Sequence, residues 1–350
     1  MAPGFASILE QQRPVRILKT LYQKKSIPHA LLFIGQEGVG KQSAAIAFAM
    51  TCNCIARPAP PRSPIDAGSP PSSPAMSAAE PCGACPACRK IMSATHPDVI
   101  HIKPTGTTLR IAQVRELRET LSLKPYEAKM RFVIIRDAHA MNPAAGNALL
   151  KMLEEPPART ILILTAPQSA DLLPTIVSRC QPVRFNPISR RVLAAWLVET
   201  CGLEPTAASV LAAVASGSLT RAQSLAQSDW LRYRSWLIDR SGLMAPENLA
   251  ARDIGQLLAF AETLATRKES VADALAALLT WLRDLIVCRY DPERVVNADM
   301  GENLQTASQR NPVSAVLDKM EAIRTAQKNI EANANLRLAL EVMMLRLAAA

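Results

Sequence analysis

Aromatic side chains are scarce: Phe, Tyr and Trp together make up 4% of the 350-residue chain. A single-strand nucleic-acid binder built on stacking platforms would need more of them. No run of 18 apolar residues occurs, which argues against a transmembrane helix. Residues Met1 to Gln11 include Glu10 and have no basic stretch ahead of an apolar one. No secretory signal is therefore expected, and the expected location is cytoplasmic. The cysteines are not spread as a disulfide framework. Five of the eight lie between positions 52 and 88, with Cys180, Cys201 and Cys288 elsewhere. In a reducing compartment such clustering reads as metal binding.

Apolar residues make up 49% of the chain and charged residues 20%, a globular composition long enough for two or three domains. The net charge of +10 favours contact with a polyanion without setting a sequence preference.

Residues 13–28 read as a helix closed by Pro28, and His29 to Ile34 as one buried strand. Gly35-Gln-Glu-Gly-Val-Gly-Lys41 follows, then an Ala-rich helix from Ser43 to Thr51. Strand, glycine loop and helix is the order a phosphate-binding loop requires. Residues 55–81 break the composition, since eight of the 27 are Pro. This stretch is expected to be a flexible insertion. Order is expected to resume at Ile91. Further strands are expected at Val99 to Ile102, Arg131 to Ile135, Thr160 to Thr165 and Gln181 to Phe185. Helices between them argue for a parallel α/β sheet. After Pro187 the pattern is helical throughout. Leu275, Leu278, Leu282 and Leu285 form an apolar stripe, and two helices divide near Asn333-Ala-Asn335.

The loop matches G-x-x-x-x-G-K through Gly35, Gly38, Gly40 and Lys41. Glycines let backbone N–H groups turn onto phosphates, and the lysine adds a point charge. A Mg²⁺-holding hydroxyl should come next. Gln42 stands there instead, and Ser43 is rotated about 100° away. The residues alone leave open whether ATP occupies this loop. A hydrolytic site also needs carboxylates at a neighbouring strand end. Arg136-Asp137-Ala138-His139 offers one acid beside an arginine, so no hydrolysis is expected from this chain. Cys82, Cys85 and Cys88 supply three thiolates at short spacing, and Zn²⁺ takes four. Cys52 or Cys54 can be the fourth, and His96 is an alternative. Arg179, in Ser178-Arg179-Cys180, and Arg221, which opens a helix, could each face a phosphate, but taken singly Arg179 reads as a solvated or salt-bridged side chain and Arg221 is weak evidence.

Together these residues resemble the clamp-loader branch of the AAA+ ATPases. The likeness covers nearly the whole chain. It rests on Pro28 to Phe33, the loop, Cys82 to Cys88 and Thr95-His-Pro-Asp98. It is densest in Asn147-Ala-Leu-Leu-Lys-Met-Leu-Glu-Glu-Pro-Pro157 and Leu173 to Cys180. The resemblance implies a RecA-like AAA+ module with a zinc insertion over 1–185, a helical lid over 186–229 and a helical collar over 230–350. It selects Cys54 as the first zinc ligand, through Asn53-Cys54. It makes Arg179 an arginine finger acting in trans and Arg221 a lid arginine. It also implies a hetero-pentamer with gamma/tau ATPase subunits and a delta subunit, acting on a sliding clamp and primer-template DNA, with no membrane. Gamma and tau carry Gly-Lys-Thr and Asp-Glu-x-His where this chain has Gly-Lys-Gln and Arg-Asp-Ala-His. That departure fits a non-hydrolysing subunit. The rival expectation is an ATP-hydrolysing gamma/tau-type chain. A zinc-dependent DNA-binding module is weakest, for want of a recognition-helix spacing after the cysteines.

Overall fold

The computed structural model describes residues 4–56, 79–243, 254–267 and 270–349. Most of the Pro-rich insertion, residues 57–78, lies outside them. The chain forms two compact units: Met1–Val192 with Gly217–Thr220, and Leu193–Ser216 with Arg221–Ala350.

The first unit is built on five parallel strands: β1 (Ala30–Ile34), β2 (Val99–Ile102), β3 (Arg131–Ile135), β4 (Thr160–Ala166) and β5 (Gln181–Arg184). Their spatial order is β2-β3-β4-β1-β5. In β1, β3 and β4 every residue is buried. This explains why they read as unbroken apolar runs: a parallel sheet is covered on both faces. Phe33, Phe132, Ile134, Ile161 and Ile163 pack on one face, with Phe48 and Met50 of α2 (Lys41–Asn53). Leu32, Val133, Leu162 and Leu164 pack on the other, with Val114 and Leu117 of α4 (Ile111–Ser122) and Leu149 and Leu153 of α5 (Pro143–Glu154).

Helix α1 spans Gln12–Gln23 and stops before the expected Pro28. The chain turns where Lys25 adopts φ +53° and Ser26 N–H bonds the Leu21 carbonyl. A short helix, α3 (Pro86–Met92), arises within the cysteine stretch, ahead of Ile91, where order was expected to resume. Helix α6 is only Pro174–Val177, so Arg179 lies beyond it.

The second unit is helical. It takes in most of α7 (Arg190–Cys201), α8 (Pro205–Val214), most of α9 (Leu219–Gln227), α10 (Trp230–Ser241), α11 (Ile254–Thr266), α12 (Val271–Tyr290), α13 (Gly301–Arg310), α14 (Val313–Glu331) and α15 (Leu336–Ala349). Leu275, Leu278, Trp281, Leu282 and Leu285 of α12 are buried. Two buried charges tie its irregular segment down. Asp284 accepts the Val296 and Asn297 N–H groups, and Arg234 donates to Asn297 Oδ1 and Asp299. Among the described residues no helix is long and apolar enough to cross a membrane.

Candidate functional site

The loop from Gly35 to Gly40 leaves the C-terminal end of β1 and enters α2, as a phosphate-binding loop does. Gly35, Gly38 and Gly40 have φ of +153°, +79° and +97°, values that suit glycine. At Gly38 a Cβ would sit 2.1 Å from Ser218 Oγ and 2.3 Å from Thr220 Oγ1. The Gly38 carbonyl accepts the Leu219 N–H at 2.9 Å. Residues 218–220, at the start of α9, therefore pack directly on the loop. The Lys41 ammonium donates to the Gly35 and Gln36 carbonyls, the latter at 2.7 Å. Burial pushes the Lys41 pKa down, and the Asp137 and Glu37 carboxylates pull the other way.

Asp137 follows β3 at the same edge of the sheet. It has a left-handed backbone, φ +50°, and its N–H donates to Thr165 Oγ1 at 3.1 Å. Thr165 was not singled out from the sequence. Its signal is a hydroxyl near the end of the strand Thr160–Ala166, directly after the apolar run Ile161–Leu164. Gly35, Gly38, Gly40, Lys41 and Asp137 thus share one edge. Gln42 occupies the hydroxyl position, and Asp137 lacks a second acid beside it. This set does not fit a hydrolytic Mg²⁺ site. Arg221 belongs to the second unit, where it is ion-paired to Asp273.

Arg179 stands at the other edge. Strands β1 and β5 run parallel with Leu31 beside Gln181. Arg179 lies in the turn just before β5, at the N-terminal end of the strands, while the glycine loop begins past the C-terminal end of β1. From Leu31, level with Gln181, to Gly35 is four residues of strand, about 13 Å at the usual rise. Arg179 thus stands at the opposite end of the strands from the glycine loop. Its guanidinium pairs with Glu154 at 2.8 Å and donates to the Thr175 carbonyl at 3.0 Å. Cys180 beside it is buried.

The Sγ atoms of Cys54, Cys82, Cys85 and Cys88 all lie within 4.8 Å of one another. Cys82 and Cys88 are 3.9 Å apart. That is far beyond a disulfide bond. It matches the edge of a tetrahedron with metal–sulfur bonds of about 2.3 Å, which is about 3.8 Å. The set can hold a metal ion. It contains Cys54 rather than Cys52. His96 lies outside it, its Nδ1 accepting the Asp98 N–H at 3.1 Å. The Cys-x-x-Cys geometry is local: Cys85 N–H points at Cys82 Sγ, and Cys85 Sγ caps α3 through Cys88 N–H. Burial raises the Cys85 thiol. Hydrogen bonds from the Cys88 and Ile55 backbone and from the neighbouring thiols outweigh it and bring it down to about 6. Burial pushes Cys88 upward.

Sequence reasoning also missed a buried pair beside this cluster. Asp98 accepts the N–H groups of Tyr126, Glu127 and Ala128 at 2.8–2.9 Å and faces Arg131 at 3.4 Å. Arg131 in turn donates to the carbonyls of Leu123 and Lys124.

Residues 72–189 match a family model described as DNA polymerase III, delta subunit, and residues 235–349 match its C-terminal counterpart. A delta' subunit of DNA polymerase III from Pseudomonas aeruginosa PAO1 is 30% identical over 329 residues, 91% of each chain. The delta' subunit of Bacillus subtilis is 27% identical over 340 residues, 95% of each. The Bacillus subtilis tau subunit is 24% identical over 98% of this chain and 61% of its own length. A glycine loop after β1 of a five-stranded parallel sheet, followed by an all-helical part, defines a RecA-like AAA+ protein. The chain belongs to the delta-prime subunit family of DNA polymerase III.

Proposed function

We propose that this chain is the non-hydrolysing member of a clamp-loader assembly and that Arg179 completes the ATP site of a neighbouring gamma/tau-type subunit. One observation carries this reading: Arg179 and the chain's own glycine loop stand at opposite edges of the sheet. A planar, permanently charged guanidinium is suited to the charge that develops on a transferring phosphoryl group. The proposed partners are gamma/tau and delta subunits in a hetero-pentamer. Through the complex, ATP binding opens a sliding clamp and hydrolysis on primer-template DNA releases it. The helical part is read as a lid over 186–229, with Arg221, and a collar over 230–350 that packs with the partners' collars. The whole is cytoplasmic.

We read the metal as a structural zinc held by Cys54, Cys82, Cys85 and Cys88. With four thiolates and no open position it would contribute folding energy rather than chemistry. It would tie the end of α2 to α3.

The test is reconstitution. ATP turnover is followed as the chain is added to gamma/tau-type subunit, delta subunit, clamp and primed DNA. A large rise is expected with the wild type and none with Arg179→Ala. An equal rise with both would remove the finger role.

A further inference from the structure

We infer that Glu154 is the positioning residue for Arg179, setting the guanidinium before a neighbour's phosphate arrives. This rests on the finger reading above.

The arrangement follows from how α5 ends and α6 packs. Asn142 caps the start of α5 by accepting the Ala145 N–H at 2.8 Å. Pro156 and Pro157 follow its end, so the helix cannot run on. Met152 and Leu153 are buried, leaving Glu154 on the outer side of the last turn. Helix α6 lies close against α5 at Gly146, where a Cβ would come within 2.8 Å of Leu173 Cδ1. Ile176 and Cys180 are buried on either side of Arg179. The backbone around Arg179 is held as well: Arg179 N–H bonds the Ile176 carbonyl and Cys180 N–H the Val177 carbonyl.

The side chain is then gripped from two directions. Nη2 meets Glu154 Oε1 at 2.8 Å, and Nη1 meets the Thr175 carbonyl at 3.0 Å. Yet 37% of the Arg179 side chain and 49% of Glu154 stay exposed. A pair this exposed is weak. It neither buries the guanidinium nor withholds it. Its effect is on orientation. A free arginine has many rotamers to lose when it meets a phosphate. Holding the fork in place beforehand removes part of that loss from the reacting complex.

The test is single-turnover ATP hydrolysis by the reconstituted complex on primed DNA. Glu154→Ala is expected to slow the step about fivefold. Glu154→Gln, which keeps an acceptor, should slow it about twofold. The KM for ATP should stay within about twofold for both, since the ground-state contacts belong to the partner's loop. Glu154→Ala with Arg179→Ala should be no slower than Arg179→Ala alone, because a residue acting through Arg179 has nothing left to position. Melting curves of the single variants should overlay the wild type. Equal rates for Glu154→Ala and wild type, faster turnover, or additive losses in the double variant would each overturn positioning while leaving the finger role standing. An unchanged rate in Arg179→Ala would overturn both.

Discussion

The two edges of one sheet differ in what they keep. At the C-terminal edge, where α/β folds place their ligands, the glycine loop has its left-handed φ values and its lysine. The groups around it do not make up a hydrolytic set. Lys41 turns onto its own loop carbonyls, Leu219 N–H occupies the Gly38 carbonyl, and Asp137 stands alone beside Arg136. At the N-terminal edge the side chains are set by partners. Asp98 and Arg131 staple the segment leading into β3. The cysteine cluster closes the end of α2, and Asn53 exchanges hydrogen bonds with Met130 beside it. Glu154 and Thr175 orient Arg179. The loop's backbone does not depend on that chemistry, because glycine conformations also serve folding. In the proposed assembly the N-terminal edge contributes to a neighbour, and there a fixed geometry matters more than a retained loop.

The largest expected effect falls on the N-terminal edge. Arg179→Ala should slow hydrolysis at the partner's site by about a thousandfold, the low end for an arginine finger. Arg179→Lys keeps the charge without the fork and should recover only a small part of the rate. Single-turnover hydrolysis in the assembled complex measures both.

Next comes the cysteine cluster. One metal ion per chain is expected by elemental analysis, and Cys88→Ser should release it. Loss of a few kcal/mol of structural metal binding should lower Tm by about 10 °C. An unchanged Tm with bound metal would mean these thiols do not hold it.

Asp98→Ala leaves Arg131 buried without its charge partner and should cost about 3–5 kcal/mol in denaturant unfolding. Its pH signature follows from the carboxyl. Burial pushes it up, but three backbone N–H groups and Arg131 outweigh that and hold it below its ordinary value. A group depressed in the folded state stabilises above its unfolded pKa of about 3.9. That contribution is lost as pH falls through the lower, folded value. The wild type should therefore lose its advantage over Asp98→Asn below about pH 4. A constant difference across the acid range would contradict this.

The smallest effect is expected at the loop. Lys41→Ala in the assembled complex should leave turnover within about twofold, since no phosphate chemistry is assigned to it.

What the sequence made legible was local. The buried strands announced themselves as apolar runs, the loop by its glycines, and Cys82, Cys85 and Cys88 by their spacing. Cys54, 28 residues before Cys82, needed family resemblance to be chosen over Cys52. The strand order was not legible, because β1 pairs with β4 and β5, residues far along the chain. Helix α3 is only seven residues long and is set by Pro86 and a thiol cap rather than by periodicity. In the sequence Glu154 is only part of the run 147–157, and its tertiary neighbour Arg179 is what gives it a role. Thr165, Asp98 and Arg131 were hidden for the same reason: each acts through a partner more than 25 residues away.

The central claim is that this chain lends an arginine to a neighbour and runs no hydrolysis of its own. The most direct measurement is ATP turnover by the purified chain alone, with Lys41→Ala as control. No turnover above the control is expected. Robust turnover that disappears in Lys41→Ala would contradict the claim and make the glycine loop, with Gln42 and Asp137, a working ATPase site.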